Sequence, residues 1–342
     1  MPVSALPWLE QPWREILARR SMLPHALLFK GREGIGELDF VRKLAQSLAC
    51  IQPVEQAACG HCQSCRWFAA NSHPDYRELL PEVLRPEAPD SPSTSERKPS
   101  QQISVDDIRA LEDFINLTSH QAGSKTIVIY PAETLNVSAA NALLKSLEEP
   151  PPATRFMLVA NRPSYLPATI ISRCQQVALP TPSGDVAAAW LREQGVAEPA
   201  LSLAQTGNAP LAALALDDSE FWHQRKTLLA GLATPRPDAL SLAEQIREFP
   251  LPRVLGWLQR WTYDLLSAKS AAVVRYNPDF AKSLTQIAGR LSALDIARFH
   301  RSLVQQQRSV HHPLNARLYI EQLLIAYSAL LSGEDFTFNH AR

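Results

Sequence analysis

The sequence predicts a parallel α/β sheet covered by helices in the first half of the chain and an all-α second half. Three observations carry this reading. Short apolar runs alternate with helical periodicities up to residue 180, the pattern of strands joined by helical crossovers. From Pro180 onward strand signals vanish and helical periodicity alone remains. Proline (27) outnumbers glycine (12), which favours many helix ends and stiff connections over a glycine-turn-rich all-β fold.

The elements follow in order. Ala26-Leu27-Leu28-Phe29 reads as a buried strand, followed by a glycine loop and a helix with Leu38, Val41, Leu44, Ala45 and Leu48 on one face. Residues 76–80 read as a second strand. A helix opens at Ser104, with Asp107 as its capping-box partner and Val105, Ile108, Leu111 and Ile115 turned inward. Thr126-Ile127-Val128-Ile129-Tyr130 is rich in β-branched residues and predicts a strand. Asn136 suits the cap of the next helix, whose Ala140, Leu143, Leu144 and Leu147 keep i, i+3, i+4, i+7 spacing before Pro150-Pro151-Pro152 stops it. Phe156-Met157-Leu158-Val159-Ala160 is the last strand legible in this unit. Residues 81–102, punctuated by Pro86, Pro89, Pro92 and Pro99, lack periodicity and read as a surface insertion without elements. Helices are predicted over 186–193, 200–205, 221–230, 254–266, 278–291, 294–307 and 314–331, a small helical domain followed by a larger bundle. Trp257 and Trp261 stand four apart in one of them and read as core or interface.

Composition narrows the function. Lys plus Arg (34) equals Asp plus Glu (34), which argues against a protein that coats nucleic acid by bulk charge and leaves only a local basic patch. A chain 46% hydrophobic and 20% charged is globular. No apolar run approaches the roughly 18 residues that a membrane span needs. The first residues are broken by Pro7, Glu10, Pro12, Arg14 and Glu15, so no signal-peptide core is legible. The expected location is the cytoplasm, where thiols stay reduced.

Four of the five cysteines, Cys50, Cys59, Cys62 and Cys65, follow the spacing C-x8-C-x2-C-x2-C. A C-x2-C turn lets two thiolates face one ion, and four thiolates close a tetrahedral shell around Zn²⁺ with no open position, as in a structural site. A group of reduced cysteines and an iron–sulfur cluster are the alternatives. The two overlapping C-x2-C pairs favour zinc. His61 and His73 lie near enough to substitute but read as ordinary loop histidines.

After the first strand, Gly31-Arg32-Glu33-Gly34-Ile35-Gly36-Glu37-Leu38 has the place and length of a phosphate loop, G-x-x-x-x-G-K-[ST]. Gly31, Gly34 and Gly36 allow the turn, and backbone N–H groups at a helix start favour phosphate. The lysine position holds Glu37, however, and the Mg²⁺-ligand hydroxyl position holds Leu38. The strand over 127–130 ends in Tyr130-Pro131 instead of acidic residues, and Glu133 lies beyond the proline, out of register. Either the loop never bound nucleotide or the fold has lost an ATPase site; the second reading is favoured.

Taken together, the run Asn141-Ala142-Leu143-Leu144-Lys145-Ser146-Leu147-Glu148-Glu149-Pro150-Pro151, the triplet Ser172-Arg173-Cys174, the four-cysteine insert, His25-Ala26-Leu27-Leu28, His73-Pro74-Asp75-Tyr76 and the degenerate loop resemble the clamp-loader branch of the AAA+ proteins. The resemblance is strongest over 24–180 and points to a stator-like subunit of the bacterial DNA polymerase III clamp loader. It implies a RecA-like α/β domain (1–180) carrying the zinc module (50–65), a small helical lid (181–222) and a helical collar (223–342). It also implies a hetero-pentamer with gamma/tau and delta subunits that loads the sliding clamp onto primed DNA, as part of a DNA-directed DNA polymerase holoenzyme. No independent catalysis and no ATP bound by this subunit are expected. In the lid, Gly207-Asn208-Ala209-Pro210 has Pro210 where the family's ATPases align an arginine.

Arg173 takes its role from the same resemblance, as an arginine finger reaching the γ-phosphate bound by a neighbouring subunit. Alone, it reads equally as a surface ion pair worth ~0–1 kcal/mol. Two rival functions remain at this point. An active AAA+ ATPase needs replacements for the missing lysine, hydroxyl, acidic pair and lid arginine. A stand-alone zinc-containing nucleic-acid-binding module needs basic and aromatic residues around the cysteines, where Arg66, Trp67 and Phe68 are the nearest.

Overall fold

The computed structural model describes residues 6–85, 99–116, 124–216, 218–307 and 315–334. The chain divides into two compact units, Met1–Val186 and Ala187–Arg342. In the first, the elements run α1 (Glu10–Ala18), β1 (Ala26–Lys30), α2 (Glu37–Ala49), α3 (Gln63–Ala69), β2 (Tyr76–Leu79), α4 (Val105–Asn116), β3 (Lys125–Ile129), α5 (Val137–Glu148), β4 (Thr154–Ala160), α6 (Ala168–Ile171) and β5 (Gln175–Ala178). The strands form one parallel sheet in the order β2-β3-β4-β1-β5.

Period-two alternation sorts the sheet's side chains. Ala26, Leu28, Ile127, Ile129, Phe156, Leu158 and Ala160 face one side and pack with Ile108, Leu111, Leu143 and Leu147 of α4 and α5. The intervening Leu27, Phe29, Val128, Met157 and Val159 are fully buried too, as strands covered on both faces must be. Phe29 meets Phe40 of α2 at 5.9 Å between ring centroids. The expected caps form: Ser104 and Asp107 exchange bonds at the start of α4, and Asn136 Oδ1 accepts from Ala139 N at 2.8 Å.

The structure corrects the sequence reading at the other edge. The strand over 154–160 is not the last one, because β5 pairs along β1 through Leu27–Lys30. Its Gln175 and Gln176 are exposed, so it lacks the apolar signature of its neighbours. A one-turn 3₁₀ helix, Glu82–Leu84, opens the segment read as free of elements; residues 86–98 of that insertion lie outside the described residues.

The second unit is all-helical. It comprises most of α7 (Gly184–Glu193), then α8 (Pro199–Thr206), α9 (Pro210–Ala215), α10 (Ser219–Leu232), α11 (Ala239–Gln245), α12 (Leu251–Ala271), α13 (Ala281–Arg290), α14 (Ala293–Gln306) and α15 (Ala316–Ser332). Both α9 and α11 are additions to the predicted set. Trp257 and Trp261 are core residues. Trp261 Nε1 donates to Tyr327 Oη at 2.9 Å, and that hydroxyl donates to Leu232 O at 3.0 Å, so one buried relay joins α12, α15 and α10. Buried Asp264 accepts from the Arg275, Tyr276 and Asn277 N–H groups and from Asn277 Nδ2, fixing the loop after α12. Buried Arg225 holds Asp279 through two bonds of 2.7 and 2.8 Å and reaches Asn277 Oδ1. Among the described residues no helix is long and apolar enough to cross a membrane.

Candidate functional site

The residues singled out in the sequence fall in three places in the first unit. The four cysteines converge. Their sulfurs all lie within 4.8 Å of one another, with Cys50–Cys62 at 3.8 Å and Cys59–Cys65 at 4.0 Å. A tetrahedral zinc with Zn–S bonds of about 2.3 Å sets sulfurs about 3.8 Å apart, so the group fits that ion. Local backbone makes this arrangement. Cys62 is the N-cap of α3 and accepts from Cys65 N, Cys59 accepts from Cys62 N, and Cys50 accepts from Cys59 N. Burial opposes the Cys62 thiolate, but the bonds from the Cys65 and Ile51 backbone and from neighbouring thiols outweigh it and bring its pKa down to about 6. Burial pushes the Cys65 thiol up to about 12.

Neither histidine joins the thiols. His61 Nδ1 contacts Cys59 O. His73 departs from the loop-histidine expectation, being only 4% exposed. Its Nδ1 accepts from Asp75 N, so Nε2 carries the proton and faces Ser64 Oγ at 3.0 Å; that hydroxyl donates to Ala49 O. Ser64 thus ties α3 to the end of α2, and His73 ties the segment before β2 to α3.

The glycine loop sits between β1 and α2, at the carboxyl edge of the central strands where ligands bind in open α/β sheets. Glu37 does more there than remove a cation. Its carboxylate turns back over the loop, Oε1 accepting from Gly34 N at 3.3 Å and Oε2 from Ile35 N at 3.2 Å. The two donors that would face an anion hold the protein's own carboxylate. Burial raises the Glu37 pKa, with those backbone bonds opposing. Gly34 and Gly36 have φ of 84° and 93°, which a side chain would strain.

The neighbouring strand ends complete the filling. Tyr130 Oη donates to Glu37 Oε1 at 3.4 Å and accepts from Asn161 Nδ2 at 3.3 Å. Glu133, out of register for a metal, accepts from the Asn161 and Arg162 N–H groups instead. Burial pushes the Tyr130 phenol up to about 12. Leu38 is half-buried and Pro210 opens α9 at its first turn.

Arg173 stands apart from this network. It follows α6, pairs with Glu148 at the end of α5, and donates from Nη1 to Thr169 O at 2.9 Å, its side chain 34% exposed. The sequence reading missed Glu148 as a partner, although it belongs to the Glu148-Glu149-Pro150-Pro151 run; the signal was an acid at the last helical position, where α5 delivers it to the corner holding Ser172-Arg173-Cys174.

A parallel α/β sheet, a glycine loop between β1 and α2 that binds the protein's own carboxylate, and a four-cysteine module together define the class of chain. The family model for the DNA polymerase III delta subunit matches residues 9–183, and the model for the C-terminal part of that delta subunit matches 219–328. The chain belongs to this DNA polymerase III subunit family. It is 33% identical to DNA polymerase III subunit delta' of Pseudomonas aeruginosa over 95% of this chain and 97% of the relative. It is 33% identical to the Escherichia coli subunit delta' over 84% and 83%. A solved gamma subunit-related protein of Thermotoga maritima covers 93% of this chain and 99% of its own at 17% identity, with a TM-score of 0.43.

Proposed function

We propose that the chain is a clamp-loader subunit that neither binds nor hydrolyses ATP and acts within a pentamer beside gamma/tau and delta subunits. There it helps place the sliding clamp on primed DNA in the cytoplasm. In this reading residues 1–180 form the AAA+ domain, 181–222 the lid and 223–342 the collar through which subunits assemble. Structural zinc occupies the four thiolates. The observation that carries the reading is the Glu37 carboxylate seated on the Gly34 and Ile35 N–H groups, where a bound phosphate would need them.

Arg173 then serves a site on a neighbour. A guanidinium is always charged and presents a planar fork of donors to phosphate oxygens. Its partner Glu148 holds it in the isolated chain and yields it when a more highly charged phosphate is brought near. The test is reconstitution with gamma/tau and delta subunits. Arg173→Ala leaves folding, metal content and assembly intact and lowers clamp- and DNA-stimulated ATP hydrolysis, with clamp loading falling alongside. Fingers of this kind contribute on the order of 10³–10⁵ to turnover at a single site, and several sites per complex dilute the loss. Wild-type hydrolysis by the variant complex makes Arg173 a surface charge only.

A further inference from the structure

The helical unit contains a groove whose occupant the proposed function leaves unspecified. α12 sets Arg253, Gly256, Arg260 and Tyr263 along one face at i, i+3, i+7 and i+10, and α14 sets His300, Val304 and Gln307 opposite at i, i+4 and i+7. Between them lies a cavity of about 540 Å³, within the size range of ligand sites.

The groove's electrostatics are one-sided. Among the described residues no carboxylate lines it. Arg225 of the same unit is matched by Asp279, but Arg260 has neither a hydrogen bond nor an ion pair among the described residues. Burial pulls the Arg260 pKa down, the nearby Tyr276 phenol opposes that, and the Arg225 guanidinium adds to the fall. Arg253 lies over the Phe221 ring at 5.7 Å and has only a 3.5 Å contact with Gln224 Oε1. Trp257, 1% exposed, leaves its indole N–H without an acceptor. A half-buried guanidinium and an unanswered buried donor are both costly until an acceptor arrives.

The missing acceptor is therefore an anion. A nucleic-acid strand needs a run of cations along its backbone; this groove offers two. Planar guanidiniums suit a carboxylate in bidentate contact, and the aromatic walls suit apolar side chains beside it. We propose that the groove between α12 and α14 docks an acidic segment of another clamp-loader subunit, its carboxylate paired with Arg260. This rests on the clamp-loader reading and specifies where one partner engages the helical unit.

The experiment uses the full chain reconstituted with gamma/tau and delta subunits, with the photocrosslinking residue p-benzoylphenylalanine in place of Val304, which lines the groove and is 48% exposed. The expected crosslink falls on an acid-rich segment of one other subunit. Arg260→Glu abolishes that crosslink and lowers the affinity for that subunit about tenfold or more, whereas Arg260→Lys retains most of it. Arg253→Glu, at an exposed position, gives the same direction of effect should Arg260→Glu fold poorly. Crosslinks to DNA, crosslinks to no partner in an intact complex, or charge-reversed chains that assemble and crosslink as wild type overturn the groove and leave the clamp-loader reading standing. A wild-type chain that forms no complex with those subunits overturns both.

Discussion

Glu37 makes its own carboxylate a structural contact of the glycine loop. The loop still offers the N–H groups of Gly34 and Ile35, and a buried donor without an acceptor costs ~1–3 kcal/mol. Its carboxylate supplies the acceptor from within, and Tyr130 and Asn161 extend the network to the ends of β3 and β4. Glu37→Ala should therefore lower stability by about 1–3 kcal/mol, the cost of orphaned donors less the relief of a desolvated carboxyl. It should also leave the loop able to accept a free anion. Thermal melts with and without inorganic phosphate check both points: the variant's midpoint rises with phosphate and the parent's does not. The sequence made the loss of lysine and hydroxyl legible, because Glu37 and Leu38 occupy fixed places in a known spacing. It could not show the carboxylate folding back, since that depends on a rotamer and on N–H directions set by the tertiary turn. The same limit hid the Arg173–Glu148 pair, whose members are joined only when α5 and α6 pack.

At the scale of elements, β1, β3 and β4, buried on both faces, were the strands most legible in the sequence, and the edge strand β2 was read as well. β5 escaped because Gln175 and Gln176 lie on an exposed edge and only pairing with β1 defines it. α3 escaped because its residues read first as metal ligands, and α9 because it is short and opens on Pro210. The cysteine module has little apolar core of its own, with Cys50, Cys62 and Cys65 as its buried cluster and Ala58 and Cys59 packed against it. A bound metal should then supply much of its order. Chelating zinc from purified protein should expose residues 50–75 to proteolysis while the sheet, whose core is formed by other residues, keeps its far-ultraviolet dichroism. One zinc per chain by elemental analysis is the expected starting point. Serine at Cys62 should mimic chelation, because it removes one of the four thiolates while its hydroxyl keeps the N-cap of α3.

For the molecule as a whole, two units with separate cores predict unfolding that departs from a single cooperative transition. Asp264 provides the handle. It satisfies four donors of the loop after α12 while fully buried, so Asp264→Ala orphans them together and should cost on the order of 3 kcal/mol or more. The loss belongs to the helical unit. Tryptophan fluorescence, to which this unit contributes Trp190, Trp222, Trp257 and Trp261 of the seven tryptophans, should show a component whose midpoint falls, while the chelator-sensitive proteolysis of residues 50–75 stays as in the parent. A matched fall in both signals would mean the units unfold as one.

The polar edge of the sheet has a consequence for how the protein behaves in a crowded cell. An open strand edge invites pairing with any extended chain, the first step towards fibrous aggregates. Here β5 ends the sheet after four residues with two glutamines outward, and Lys30 on the adjoining strand bonds Gln176. The opposite edge, β2, is equally short, and its Glu78 is clamped by Arg42. Both margins are brief and carry polar side chains, so a newly made or partly opened chain offers little template for runaway strand addition.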